Sequence, residues 1–296
     1  MKLVSFQRDG QLSTGALLAG DFVLDFHHPA TDLPDADGPL DWMDTDGACY
    51  QSARRLVDAH DAGQLEAKGA ILPLANVDLV APIPRPGKVI CIGLNYRDHA
   101  EESGLEVPSE PLVFSKFSSC VVGPEAEVIL PKGAKEVDYE AEFGVVIGRR
   151  ASHVSEADAM DYVLGYCNIN DVSARDFQFA DGQWQRGKSC ETFCPAGPFI
   201  ATADEIADPH ALRIQFRLNG ETLQDSSTNQ LIFNVPQLVA YLSGFVTLEP
   251  GDMISTGTPP GVGFARKPPV YVQPGDSMEV EVEGLGVLKN SAVAAQ

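Results

Sequence analysis

The segment 137–147, VDYEAEFGVVI, constrains most what this chain can fold into. Val137, Tyr139, Ala141 and Phe143 alternate with Asp138, Glu140 and Glu142. Period-two alternation marks a strand, so both glutamates project from one face. Val145, Val146 and Ile147 follow at once and carry the strand into a core. Two carboxylates side by side there repel each other and lose hydration. A hard divalent cation removes that cost, and all-oxygen ligands suit Mg²⁺ or Mn²⁺. Asp171, in YCNINDVSARD, offers a third oxygen ligand. A strand with one solvent-facing side gives the same alternation, so spacing alone leaves both readings open.

The chain has 296 residues, enough for one large domain or for a small and a larger one. A hydrophobic content of 44% permits a sizeable core. Lys and Arg number 21 against 42 Asp and Glu, a net charge of −21. Such a surface repels nucleic acid and anionic membranes. Capture of an anionic substrate then depends on local cations, either a metal or particular Lys and Arg side chains. The six cysteines form no CxxC pair, and Cys190 and Cys194 lack companions for a zinc site. In settings such as VICIG and GYCNI they read as reduced core residues. The opening MKLVSFQRDG has no apolar signal-peptide core, and no apolar run reaches about 18 residues. A soluble, cytoplasmic protein is expected.

Residues 1–26 read as a small antiparallel meander: KLVSFQ, a DGQ turn, TGALLA and DFVLDF. ACYQSARRLVDAHDAG, residues 48–63, is a helix candidate. The Pro-rich APIPRPGK at 81–88 reads as a linker. It separates a small N-terminal α/β domain, 1–80, from a larger one, 85–296. The larger part alternates short strand candidates with Gly and Pro turns: 88–94, 111–117, 139–148, 211–220, 251–257 and 276–284. Helices are expected only after 155 (SEADAMDYV) and at 235–245 (VPQLVAYLSGF). That pattern is a sheet-dominated α+β domain, not a βαβ array.

Three stretches carry candidate chemistry. In LNYRDHAEESG, Asn95 is a candidate N-cap and Gly104 a C-terminal stop. His99 and Glu102, three apart on the helix between them, share a face. A carboxylate beside an imidazole orients it as a general base, although a surface His–Glu pair without a role has the same spacing. In RDFQFADGQWQRGKS, residues 182–189 match a phosphate-loop pattern literally. No apolar strand precedes Gly182, and Pro195 and Pro198 fall where a long helix would run, so the match is coincidental. Lys188 is better suited to pair with the carboxylates or to hold an anion. GDMISTGTPPGVG, 251–263, runs from a strand into a Gly/Pro loop whose N–H groups can cradle an anion, or simply turn the chain.

Taken in order, GKVICIGLNYRDHAEE, DYEAEFGVVIGR, GYCNINDVSARDFQ, GKSCETFCPAGP, LNGETLQDSSTNQLIFNVPQLVAYLS and LEPGDMISTGTPPGVG resemble the fumarylacetoacetate hydrolase family. The resemblance runs from about residue 87 to the end and lies towards its acylpyruvate and 2,4-diketo-acid hydrolases. It implies a mixed β-sandwich roll and a divalent metal, Mg²⁺ or Mn²⁺, on Glu140, Glu142 and Asp171. It also implies a His99–Glu102 dyad on a lid helix, with Lys188 at the substrate or metal shell. Gln178 would polarise the reacting carbonyl and Thr258 would bind the substrate carboxylate, with Arg175 a weaker carry-over. A homodimer is implied as well.

These groups suit a 2,4-dioxo acid. With a cation polarising the 2-oxo group, a water activated by His99 would attack C4, and Lys188 and Gln178 would stabilise the oxyanion. The products would be pyruvate and a carboxylic acid, as in carbon-source catabolism. The same site suits oxaloacetate decarboxylation, or isomerisation of an unsaturated 2-oxo diacid. Decarboxylation needs no attacking water, so an intact dyad leans towards hydrolysis or isomerisation. A non-catalytic ligand-binding relative is the reading from another class. Loops 103–111 and 177–187, with Phe179 and Trp184, are expected to shape the substrate tail's pocket.

Overall fold

Pairing between distant segments organises the chain into two large sheets. The computed structural model describes every residue except Asp9, His60, Asp61 and Leu105. The expected DGQ turn, the end of the 48–63 helix and the 103–111 loop therefore lie partly outside the described residues. A 12-stranded sheet runs in the order Ile71–Pro73, Phe22–Asp25, Gln11–Leu18, Lys2–Arg8, Cys194–Thr202, Val163–Asn170, Ala141–Ile147, Met253–Ser255, Val89–Gly93, Leu112–Lys116. Asp78–Val80 and Val121–Val122 attach beside it. A five-stranded sheet follows the order Glu221–Ser227, Arg213–Leu218, Ser277–Val282, Val287–Ala294, Glu127–Leu130. Both sheets are mixed: Met253–Ser255 runs parallel to Val89–Gly93, and Val287–Ala294 parallel to Glu127–Leu130, while most pairs are antiparallel. This is the mixed α+β sandwich that the sequence implies.

The strand Ala141–Ile147 lies between two cores and is buried at all seven positions. Ala141, Phe143, Val145 and Ile147 join the core shared with Ile214, Phe216, Val280 and Leu288 of the five-stranded sheet. Val146, on the opposite face, packs with Met253, Leu164, Ile200, Leu24 and Trp42. No face is left for solvent, so the half-exposed reading of this strand does not hold and Glu142 is buried. Tyr139 stacks on Phe216 at 4.1 Å between ring centroids and 2° between planes, joining the two sheets beside the glutamates.

Residues 1–26 form the expected meander, and Lys2 and Leu3 pair with Ala201 and Ile200, so the meander extends the large sheet. In the Pro-rich stretch Ala81 and Ile83 are buried, and the Ser5 hydroxyl donates to the Pro82 carbonyl at 2.8 Å. Val163–Asn170 and Cys194–Thr202, two central strands, have no counterpart among the sequence expectations. The first is buried at every position and so lacks alternation; the second contains Pro195 and Pro198, which argue against a central strand. SEADAMDYV forms only a 3₁₀ turn at Ala159–Tyr162. VPQLVAYLSGF forms the helix Val235–Ser243, started by an Asn234–Gln237 capping box. All six cysteines are free. Among the described residues no helix is long and apolar enough to cross a membrane.

Asn168 ties the sheets together. Its Nδ2 donates to the carbonyls of Gly197, Leu285 and Gly286, each at 3.1 Å, and its Oδ1 accepts from the Val282 N–H at 2.7 Å. Asn168→Ala leaves these buried backbone groups unpaired. Urea unfolding is expected to show a loss of about 3 kcal/mol, against well under about 1 kcal/mol for exposed Asn229→Ala.

Candidate metal centre and active site

Glu140 and Glu142 flank Ala141 at the start of its strand, and Asp171 follows the end of the neighbouring strand Val163–Asn170. The Asp171 N–H donates to the Glu140 carbonyl at 2.9 Å, clamping the two strand ends together. One oxygen from each of Glu140, Glu142 and Asp171 lies within 4.8 Å of the others, and all three residues are buried. Three convergent hard oxygen donors fit Mg²⁺ or Mn²⁺.

Cations surround this cluster. The Lys188 ammonium donates to Glu140 at 2.6 Å and to Asp171 at 2.7 Å. Lys116 donates to the other Asp171 oxygen at 2.6 Å and to the Val172 carbonyl at 3.0 Å. Arg175 reaches Glu140 at 2.5 Å and Asp138 at 2.9 Å, and its remaining nitrogen donates to Gln178 Oε1 at 3.1 Å. Among the described residues Glu142 has no cationic partner: one oxygen accepts the Ser255 hydroxyl at 2.5 Å and the Gly257 N–H at 2.8 Å. Four buried carboxylates, Asp138, Glu140, Glu142 and Asp171, thus face three buried cations, Lys116, Arg175 and Lys188. The shortfall of positive charge sits at Glu142, and a divalent cation would correct it.

The electrostatics follow. Burial works against ionisation of Glu140, but the Arg175 and Lys188 charges outweigh it and hold this carboxyl below the usual range. Burial, then the Asp171 and Glu140 charges, push Glu142 well above it. Burial also opposes the Lys116 charge, yet Asp171 more than compensates and raises it.

His99 and Glu102 lie on the helix Arg97–Ser103, with Nδ1 3.2 Å from Glu102 Oε2. Gly104 ends the helix in the left-handed region at φ 64°, as its sequence position suggests. Asn95 does not cap it. Its side chain instead bonds the Phe233 N–H and carbonyl and the Thr256 carbonyl, at 2.8, 3.1 and 2.8 Å, seating the segment on its neighbours.

The 251–263 loop does present N–H groups to anions, and the anions are the protein's own carboxylates. Gly257 donates to Glu142, Gly261 to Glu102 at 3.1 Å, and Gly263 to Asp138 at 2.7 Å. Glycine is required at the last two. A Cβ on Gly261, at φ +99°, would lie 2.1 Å from the Leu223 carbonyl oxygen, and one on Gly263 1.9 Å from that of Val270.

One cavity of about 560 Å³ collects these groups: His99, Glu102, Glu140, Glu142, Arg175, Gln178, Lys188 and Thr258 line it, with Ile92, Leu94 and Phe114 as apolar wall. Phe179 and Trp184 line it too, as expected of the 177–187 loop. Thr258 donates its proton to the Ala141 carbonyl at 2.9 Å and accepts from Gln224 at 2.8 Å. Lys188 turns into the carboxylates, so residues 182–189 form no phosphate loop. Sequence reasoning missed Lys116, Asp138 and Ser255. Asp138 shares the alternation of Glu140 and Glu142 and was legible there; Lys116 is a single Lys in PLVFSKF with no local signal.

Burial and the neighbouring carboxylates favour the protonated form of Glu142, so a cation competes with that proton. Mg²⁺ or Mn²⁺ binding is therefore expected to tighten as pH rises, with release of up to about one proton per ion. Calorimetry in buffers of different ionisation enthalpy measures that number; a pH-independent affinity with no proton release would contradict the assignment.

The family described as fumarylacetoacetate (FAA) hydrolase C-terminal matches residues 88–293. Oxaloacetate tautomerase Fahd2a, mitochondrial, of Rattus norvegicus is 52% identical over 230 residues, covering 77% of this chain and 74% of that protein. Oxaloacetate tautomerase fahd2, mitochondrial, of Xenopus laevis is 42% identical and covers 99% of this chain and 90% of that one. Among solved structures, maleylpyruvate hydrolase from Sphingobium sp. SYK-6, in complex with manganese(II) and pyruvate, matches with a TM-score of 0.77 and 31% identity, covering 100% of both chains. The motif order, the two-sheet sandwich, the buried acidic triad and these matches agree: the chain belongs to the fumarylacetoacetate hydrolase family.

Proposed function

We propose that this enzyme acts on a small 2-oxo diacid with the help of a divalent cation, and that its reaction is keto–enol tautomerisation, oxaloacetate being the first substrate to test. The observation that carries the reading is that Glu140 and Glu142 of the acidic triad line the same cavity as the His99–Glu102 pair. The relatives named oxaloacetate tautomerases support tautomerisation better than cleavage of a 2,4-dioxo acid. Hydrolysis stays the second reading, because a maleylpyruvate hydrolase shares the fold and binds pyruvate with manganese.

A cation on Glu140, Glu142 and Asp171 would supply Lewis-acid polarisation of the 2-oxo group. The protein's own groups would do the rest. Glu102 holds His99 Nδ1, so Nε2 is the nitrogen left to exchange a proton with C3. In the keto-to-enol direction His99 takes that proton, and the C–H electron pair becomes the C2–C3 double bond. Negative charge then grows on the 2-oxygen, where Lys188 and the Gln178 amide stabilise it. Arg175 holds Gln178 Oε1, which leaves the Gln178 NH₂ for the cavity. Thr258 would contact the substrate carboxylate after exchanging its bond to Ala141. The enol is complete once the 2-oxygen takes up a proton from His99 or solvent, so tautomerisation needs only proton transfers off C3 and onto that oxygen, whereas hydrolysis also needs a positioned water.

We also propose a homodimer. Leu112–Lys116 ends the large sheet with one edge unpaired, and exposed Leu112, Val113, Phe117 and Phe245 line a depression along it.

Decay of the enol absorbance of oxaloacetate, with Mg²⁺ and after chelation, tests the reaction. Metal-dependent acceleration is expected, with His99→Ala losing about 100-fold or more and Glu102→Gln about tenfold. Acylpyruvate cleavage, CO₂ release without tautomerisation, or binding without turnover would each overturn it in favour of hydrolase, decarboxylase or binding protein. Sedimentation is expected to show a dimer that Phe117→Glu dissociates.

A further inference from the structure

Three cationic side chains line the cavity: Arg175, Lys188 and Lys267. Arg175 and Lys188 are committed to buried carboxylates. Lys267 makes no ion pair among the described residues. In a chain of net charge −21, an unpaired cation facing a substrate cavity is a local reversal of the prevailing field. Glu140 and Glu142 are buried and Lys267 is exposed, so they mark the floor and the mouth of one cavity.

The backbone carrying Lys267 is held from several sides. Asp138 accepts the N–H groups of Gly263 and Phe264, at 2.7 and 3.1 Å, and the Val270 N–H donates to the Gly263 carbonyl at 3.0 Å. Arg266, the preceding residue, donates to the Leu223 carbonyl at 3.1 Å. Pro268 and Pro269 stiffen the chain beyond. The same Asp138 pairs with Arg175 of the cluster, so this turn is registered against the floor. Ile92, Leu94, Phe114 and Trp184 give the same cavity an apolar stretch of wall. A ligand that fits has an anionic chelating end, a short carbon chain and a second anion.

We propose that Lys267 binds the distal carboxylate of the substrate and selects 2-oxo dicarboxylic acids over 2-oxo monocarboxylic acids. This rests on the reading of the floor as a metal-assisted 2-oxo-acid site. Lys267 acts on binding at the mouth and takes no part in the proton exchange.

Oxaloacetate and pyruvate differ only by that carboxylate, so the ratio of their affinities isolates it. The Mg²⁺-loaded protein is titrated with each acid by calorimetry, as wild type, Lys267→Met, Lys267→Arg and, as a charge control, exposed Lys68→Met. The wild type is expected to prefer oxaloacetate. Lys267→Met should lower the preference about tenfold, as loss of one charge-assisted contact does, while Lys267→Arg keeps most of it and Lys68→Met all of it. An unchanged ratio in Lys267→Met overturns the assignment and leaves the tautomerase reading intact. A ratio that falls in a protein without tautomerase activity supports Lys267 and overturns that reading. A wild type that binds neither acid overturns both.

Discussion

Burying four carboxylates against three cations is the constraint on which the rest of this structure depends. Ion pairs out of water return little net stability, and an uncompensated charge there is costly. The fold meets that cost where it can. Arg175 and Lys188 share Glu140, Lys188 and Lys116 share Asp171, and Arg175 also neutralises Asp138. Only Glu142 is left to neutral donors, Ser255 and the Gly257 backbone. A hydrophobic cluster of similar volume would be more stable, so the arrangement makes sense as a binding site kept in a high-energy condition. The strand Ala141–Ile147 enforces that condition, because cores on both faces leave Glu142 only the cavity to face.

The dyad is built into the same framework. The helix that carries His99 and Glu102 is seated through Asn95, and through Arg97, which donates to the Leu231 carbonyl at 2.8 Å. Ser226 donates to Asp98, the residue before His99. The His99–Glu102 pair and the carboxylate triad are thus separate in sequence but share their supports. Under the proposed tautomerisation, that is the condition for positioned proton transfer.

Much of this was legible in the sequence where the signal is local. Alternation in VDYEAEF placed Glu140 and Glu142 on one face, and three-residue spacing joined His99 to Glu102. The Gly-rich 251–263 loop left an anion cradle and a plain turn equally open, and its N–H groups turn out to face anions that belong to the chain. What was not legible is non-local. Lys2 pairs with Ala201, and no pattern within either segment announces it. Cys194–Thr202 hides behind two prolines, and Val163–Asn170 has no polar face to give it a period. Lys116 resembles any surface lysine until Asp171 is brought to it from 55 residues away. Asn95 had the right chemistry for a cap, but its amide is occupied by distant backbone.

The loop 257–263 binds three carboxylates from one short stretch of backbone. The amides of Gly257, Gly261 and Gly263 hold Glu142 at one end, Glu102 between and Asp138 at the other. Main-chain atoms cannot change rotamer, so this segment works as a ruler between the His99–Glu102 helix and the carboxylate cluster. Phe179 and Trp184, which line the same cavity, sit on another segment. Under the proposed function, new substrates could therefore be explored at that wall while the reacting distances stay fixed, a division of labour that lets one scaffold diversify without relearning its chemistry.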